Sequence, residues 1–160
     1  ISPDGQTLLI GGSPVGGGSS LSLWNVNSGV QTKSFPEMKK EVTCVAFSPD
    51  GSAVLATHNT FVYLFNTETG AFTGQIDSGY NPYFLPLPMR LMAVFTPDGQ
   101  YVLTGGTDAV LRMWDIESGK KVQALVGHER SHQGGITGIA ISSDGQFALT
   151  SSAGDNTARP

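Results

Sequence analysis

With a single cysteine, Cys44, among 160 residues, the chain has no internal disulfide, and nothing argues for an oxidising compartment. Its 3 histidines are spread without metal-ligand spacing, so no metal site is expected. Charge is scarce as well. Only 14% of the residues are charged and the formal net charge is -4, which leaves no electrostatic footprint for a phosphate backbone or an anionic lipid surface. Direct nucleic-acid binding and membrane binding are therefore not expected. No apolar run approaches the roughly 18 residues of a membrane span, and no helix-length stretch carries a 3.6-residue apolar period. The chain opens at Ile1 with neither an initiator Met nor a basic, apolar leader, so a longer natural polypeptide is expected, and the lone cysteine makes an intracellular setting the expectation. What is plentiful is glycine (21) and proline (9), beside 39% hydrophobic residues. Many short elements joined by tight turns around an apolar interior follow from that balance.

One turn recurs. Ser2-Pro3-Asp4-Gly5 returns as Ser48-Pro49-Asp50-Gly51, Thr96-Pro97-Asp98-Gly99 and Ser142-Ser143-Asp144-Gly145. The glycines of successive copies stand 46, 48 and 46 positions apart, close to the ~40–45 of a repeating four-stranded unit. A second landmark recurs out of phase: Leu23-Trp24-Asn25, Leu64-Phe65-Asn66 and Met113-Trp114-Asp115, followed by Ser28-Gly29, Thr69-Gly70 and Ser118-Gly119.

Between landmarks the pattern is strand-like. Val42, Val45 and Phe47 lead into a Pro-Asp-Gly turn, where Pro presets φ and Gly accepts φ > 0, so the chain reverses as a hairpin. Strands are predicted at Ala53 to Ala56, Phe61 to Phe65 and Phe72 to Ile76, and again at Leu91 to Phe95, Tyr101 to Thr104, Val110 to Asp115 and Lys121 to Val126. The near-continuous apolar inner strands, such as Ile139 to Ile141, fit sheets covered on both faces.

As a set, the Gly127-His128 pair, the Pro-Asp-Gly hairpins, the turn aspartate Asp108 and Trp114-Asp115 resemble the WD-repeat β-propeller family. The resemblance covers essentially the whole chain. It implies an all-β WD-repeat β-propeller, here a fragment of about three and a half four-stranded blades from a larger, seven-bladed ring. Residues 1–160 would then be part of a single propeller domain, incomplete at both ends, with blade turns at Gly5, Gly51, Gly99 and Gly145. In the family, the His of Gly-His, a strand Ser or Thr, the turn Asp and the strand Trp form a buried network within a blade. Asp108 and Trp114 carry over to it, as do His128 and Asp155 of the next blade, with Thr150 or Ser152 as the hydroxyl member. Gly18 and Asn59 occupy the turn-aspartate offset in the first two copies. Those blades depart from the pattern and must rely on packing, which suits Phe65 in place of Trp.

A narrower resemblance rests on Thr60-Phe61-Val62, Gly79-Tyr80, Phe95-Thr96-Pro97-Asp98, Leu111, Trp114, Glu117-Ser118-Gly119 and Lys121-Val122. This run is similar to the WD-repeat subunit shared by the COMPASS histone methyltransferase and a nuclear phosphatase and termination complex. It implies chromatin or transcription partners and a nuclear location. Many of the same positions are also general blade consensus.

Chemistry-bearing patterns are few. Gly16-Gly17-Gly18 has no following Lys-Ser/Thr and reads as a turn. Ser131 and His132 beside Glu129 lack the convergent geometry of a nucleophile, base and orienter. Trp24 and Trp114 read as core residues, and Cys44 as a small buried hydrophobe on an inner strand. Two segments exceed what blade geometry needs. Asp77 to Arg90 places Tyr80, Tyr83, Phe84, Leu85 and Arg90 among prolines, residue types that anchor protein interfaces; the other reading is a loop folded back over the rim. Glu129 to Gly135 brings Arg130 and His132, suited to an acidic partner or simply solvated. The expected function is a non-catalytic protein–protein interaction scaffold of a multisubunit complex, without cofactor, small-molecule substrate or catalytic residue. A substrate receptor for a modified peptide and a propeller enzyme are the alternatives.

Overall fold

Each repeated tetrad closes on itself. In the structure, a computed structural model that describes residues 1–13, 19–79, 90–127 and 135–160, the hydroxyls of Ser2, Ser48, Thr96 and Ser142 donate to Asp4, Asp50, Asp98 and Asp144 at 2.5–2.6 Å. Each carboxylate also accepts the N–H two residues on, at 3.0 Å. Each hydroxyl accepts the N–H of the next strand's entry, at 2.9–3.0 Å. The turn glycines sit at φ 70–74°, a left-handed conformation that only Gly adopts without strain. A Ser/Thr-x-Asp-Gly tetrad therefore specifies the reversal locally, wherever it occurs in the chain.

Among the described residues, these turns and their counterparts join fourteen strands into four antiparallel sheets. The first holds β1 (Thr7–Gly11), β2 (Leu21–Asn25) and β3 (Gln31–Ser34). The second holds β4 (Cys44–Phe47), β5 (Ala53–His58), β6 (Phe61–Asn66) and β7 (Phe72–Asp77). The third holds β8 (Met92–Phe95), β9 (Tyr101–Gly105), β10 (Val110–Asp115) and β11 (Lys121–Val126), and the fourth β12 (Ile136–Ile141), β13 (Ala148–Ser152) and β14 (Thr157–Arg159). In every sheet the strand order follows the chain, as in the blades of a propeller. The all-β expectation holds, and among the described residues the second and third sheets are four-stranded blades while the first and fourth hold three strands each.

The second landmark is also a turn with its own chemistry. Asn25, Asn66 and Asp115 accept the N–H of Ser28, Thr69 and Ser118 at 2.7–2.8 Å, and their hydroxyls at 2.5–3.0 Å. Just before it the two outer strands slip register at Leu23/Trp24, Leu64/Phe65 and Met113/Trp114. This bulge, repeated in three blades, increases the local twist.

Blades stack face against face, with one apolar cluster at each boundary. Leu9, Leu23, Phe35 and Met38 meet Val54, Ala56 and Phe65 between the first and second. Leu55, Leu64 and Ile76 meet Ala93, Val102 and Trp114 between the second and third. Leu103 and Leu111 meet Ile136 between the third and fourth. Gly11 and Gly105, six positions after their turn glycines, clear the approach: a methyl there would lie 2.4 Å from Val42 Cγ1 and 2.8 Å from Ile136 Cγ2. Thr57 holds the same place in the second blade and instead donates to the Leu91 carbonyl at 2.9 Å.

Two core assignments need correction. Trp24 is half-buried, because it shares with Leu8 (37% exposed) and Ile10 (42% exposed) a face of the first blade against which no sheet of the described residues packs. Cys44 is half-buried too, at the second boundary, with its thiol donating to the Ala93 carbonyl at 3.5 Å.

Candidate interaction site

Antiparallel strand order places the chain reversals at two opposite ends of each blade. One end carries the tetrad turns and the Asn/Asp-x-x-Ser/Thr turns. The other carries the remaining hairpin turns and the connections between blades, where the sequence locates its candidate contacts.

The first connection packs inward. Phe35 and Met38 are fully buried, and the Ser20 hydroxyl holds the segment by donating to the Met38 carbonyl at 2.9 Å and to the Lys40 carbonyl. Lys40 Nζ then donates to the Tyr63 hydroxyl at 2.7 Å, and the His58 ring Nδ1–H donates to the Glu41 carbonyl at 2.7 Å. This connection is a plug rather than an arm. In the second connection Asp77 accepts the Gly79 N–H at 3.0 Å, and Ser78 is buried. Tyr80, Tyr83, Phe84 and Leu85 lie outside the described residues, whereas Arg90 is exposed at the foot of β8. Arg130, His132 and His128 of the third connection also lie outside them. After it Gly135 passes so close to the third blade that a methyl there would lie 2.1 Å from the Gly106 carbonyl oxygen.

The hairpin turns at this end place one residue each in the left-handed region: Asn59 at φ 51°, Ala109 at 60° and Asn156 at 55°. Beside Ala109, the Asp108 carboxylate pairs with Arg112 at 2.6 Å and accepts the Val110 N–H at 3.3 Å. Asp155 repeats the device one blade on, pairing with Arg159 at 3.4 Å and accepting from the Thr157 N–H and hydroxyl at 3.1 and 2.7 Å. Arg159 also donates to the Gly127 carbonyl at 2.5 Å, so a guanidinium links the third blade to the fourth. The Trp114 indole N–H donates to the Thr104 hydroxyl at 2.8 Å, both side chains being buried. Trp24 finds its acceptor within its own strand, Ser22, at 2.8 Å.

Thr104, Arg112 and Arg159 are functional partners that the sequence reading passed over. A signal for the first was present: Ala56 stands in the second blade where Thr104 stands in the third, and Phe65 there replaces Trp114. A ring without an N–H needs no hydroxyl opposite. Phe65 packs edge-on against Phe35 and Phe72, at 5.3 and 5.8 Å between centroids.

The opposite end is electrostatically distinct. The Ser48 hydroxyl and the Ser52 N–H and hydroxyl, all donating to Asp50, bring its pKa down to about 2. Asp4, Asp98 and Asp144 are lowered for the same reason, the tetrad hydroxyl first and the backbone N–H second, and Asp115 by Ser118. This end therefore stays anionic well into the acid range. Burial moves the Cys44 thiol the other way, upward. Among the described residues no three His, Cys, Asp or Glu side chains are grouped to hold a metal ion.

The chain matches the family model "WD domain, G-beta repeat" over residues 29–66, 90–115 and 119–159. It is 29% identical over 161 residues to eukaryotic translation initiation factor 3 subunit I of Emericella nidulans, an alignment covering 95% of this chain and 45% of that protein. It is 27% identical over 124 residues to small ribosomal subunit protein RACK1 of Schizosaccharomyces pombe, covering 72% and 36%. With ribosome biogenesis protein YTM1 of Laccaria bicolor it shares 29% over 109 residues, covering 66% and 23%. The chain thus spans less than half the length of each of these relatives.

Proposed function

Because the chain belongs to the WD40 repeat family, we propose that it is a non-catalytic protein–protein interaction scaffold of a multisubunit complex. One observation carries this reading: the polar side chains at the blade ends are committed to holding the blades. Tetrad aspartates bind their own turns, Arg112 and Arg159 bind turn carboxylates, and the Trp114 indole binds Thr104. What remains to meet other molecules is shape and exposed side chains on a rigid frame. That is a docking platform, not a convergent acid, base and nucleophile. Residues 1–160 act as part of a single propeller domain, with Tyr80, Tyr83, Phe84, Leu85 and Arg90 as the principal contact residues and Arg130 and His132 as further ones.

The finer reading is a nuclear subunit of a histone methyltransferase or phosphatase complex, supported by the run from Thr60 to Val122 quoted above. A second reading, a subunit of a translation assembly, is favoured by the names of two relatives, a translation initiation factor subunit and a small ribosomal subunit protein. Affinity purification of the tagged natural protein followed by mass spectrometry separates them: stoichiometric chromatin subunits support the first, initiation-factor or ribosomal subunits the second. Changing Tyr83, Phe84 and Leu85 together to Ala is expected to strip those partners while leaving the β-sheet circular dichroism unchanged. An unchanged set of partners would show that the contact loop is misplaced. Purification as a monomer with no stoichiometric partner would refute the scaffold.

A further inference from the structure

At the anionic end of the blades, the first boundary is closed by a lysine. Lys33 on β3 stands opposite Leu23, lays its stem within 3.4 Å of where a side chain on Gly70 would begin, and donates from Nζ to the Glu68 carbonyl of the next blade. The corresponding residue at the second boundary, opposite Leu64 on β7, is Gly74. It has nothing within 4 Å of its missing side chain, and neither does Gly119, the counterpart of Gly70. Next to that position a groove of about 340 Å³ is open, reaching Thr73 beside Gly74 and Ile116 beside Glu117, its walls including Leu64, Phe95 and Pro97 and its rim Asp50 and Asp98. Among the described residues no side chain donates to the Glu117 carbonyl, the counterpart of the one Lys33 engages.

We propose that this groove between the second and third blades docks a lysine-bearing segment of a partner protein, whose side chain takes the place that Lys33 takes one boundary earlier. The chemistry of the occupant is set by the rim and by the intramolecular copy: a long aliphatic stem to lie across Leu64 and Ile116, and an ammonium drawn by the Asp50 and Asp98 charges to a backbone carbonyl, as Lys33 is held by that of Glu68. Arginine shares the charge, but its planar fork fits a single carbonyl less well than the compact ammonium does. The Asp50 and Asp98 charges are held by their own turns, so they are present before the partner arrives and need no reorganisation. This surface lies at the end opposite the proposed contact loop and rests on the scaffold reading only in that its occupant is a protein.

The test is an NMR titration of the ¹⁵N-labelled chain with the blocked peptide acetyl-Ala-Leu-Lys-Leu-Ala-amide, compared with the same peptide carrying Glu or norleucine in place of Lys. Saturable shifts centred on Gly74, Gly99 and Ile116 are expected for the Lys peptide, with a Kd of roughly 1 mM. Binding should be at least about tenfold weaker for the other two peptides and should weaken with salt. Gly74→Lys fills the groove from within and should abolish the shifts, whereas Gly74→Ala should keep them. Lys33→Gly should open a second site with shifts at Glu68 and Gly70. Equal binding of the Lys and norleucine peptides, shifts centred elsewhere, or unaltered binding in Gly74→Lys would each overturn the proposal. Should Gly74→Lys fail to fold, the peptide comparison and Lys33→Gly decide alone. Failure here leaves the loops at the other end, and the scaffold reading, untouched.

Discussion

Trp114 and Thr104 offer a double-mutant cycle whose answer is already written into the neighbouring blade. The indole N–H donates to the Thr104 hydroxyl at 2.8 Å, and the residues are 7% and 1% exposed, so neither partner has water to fall back on. Trp114→Phe removes a bond with a net value of about 1 kcal/mol and leaves a buried hydroxyl without its donor, a further ~1–2 kcal/mol. The smaller ring covers roughly 40 Å² less apolar surface, about 1 kcal/mol more. A destabilisation of about 3–4 kcal/mol follows. Thr104→Ala strands the indole N–H instead and should cost about 2–3 kcal/mol. In the double variant neither orphan exists and the bond is lost only once, so its cost should fall short of the sum by about 3 kcal/mol or more. The second blade is built that way, with fully buried Phe65 and Ala56. Because one of the 2 tryptophans is removed, the assay is urea unfolding followed by far-ultraviolet circular dichroism, with hydrogen exchange of the β9 and β10 amides giving the local free energy. Costs additive to within about 0.3 kcal/mol would show that the two side chains do not act as a pair, and the reasoning would fail.

Acid should loosen the blades through the tetrad turns. Asp50 titrates at about 2 in the folded chain against an ordinary value of 3.8, so its contribution is complete above about pH 4 and is lost as pH falls towards 2. The urea midpoint should drop across that window, and Asp50→Asn should flatten the drop. Gly135→Ala should cost about 3 kcal/mol or more, because its methyl would meet backbone atoms of Gly106 and Thr107 at 2.1–2.4 Å. Gly12→Ala, with open space around it, should stay within about 0.5 kcal/mol, both read from urea midpoints. Cys44, half-buried and with its thiol pKa raised, should react with iodoacetamide at least about tenfold more slowly in the native chain than in urea. A native rate equal to the unfolded one would place the thiol in solvent.

Much of the fold was legible because its turns are self-sufficient. A Ser/Thr-x-Asp-Gly tetrad binds its own hydroxyl, carboxylate and backbone, so its presence in the sequence is nearly its presence in space. The strand from Val110 to Asp115 has the expected bounds because the Asp108 and Asp115 carboxylates close the turns before and after it on neighbouring backbone N–H groups. The bulge before Trp24, Phe65 and Trp114 left no such trace, since it depends on which residue of the outer strand stands opposite. Trp24 and Trp114 both read as core residues in the sequence, yet burial depends on the sheet alongside. Of the candidate site, Asp108, Trp114 and Asp155 follow from the family resemblance, which names no arginine opposite the aspartates, so Arg112 and Arg159 emerge only from the structure, and Thr104 is recognised only when two strands are placed in register.

The sequence by itself determined the local unit: where the chain reverses, which residues form strands, and that the unit recurs. Those features depend on contacts among residues a few positions apart, which a linear pattern contains. Tertiary structure alone decided what lies between units. Gly11, Thr57 and Gly105 hold one repeat position, yet the glycines make room for Val42 and Ile136 while Thr57 donates to the Leu91 carbonyl, and a lysine closes one boundary where a glycine leaves the next open. Such relations join residues of adjacent blades, roughly thirty or more positions apart, through the packing of one sheet face on another. They exist only once the blades stand side by side.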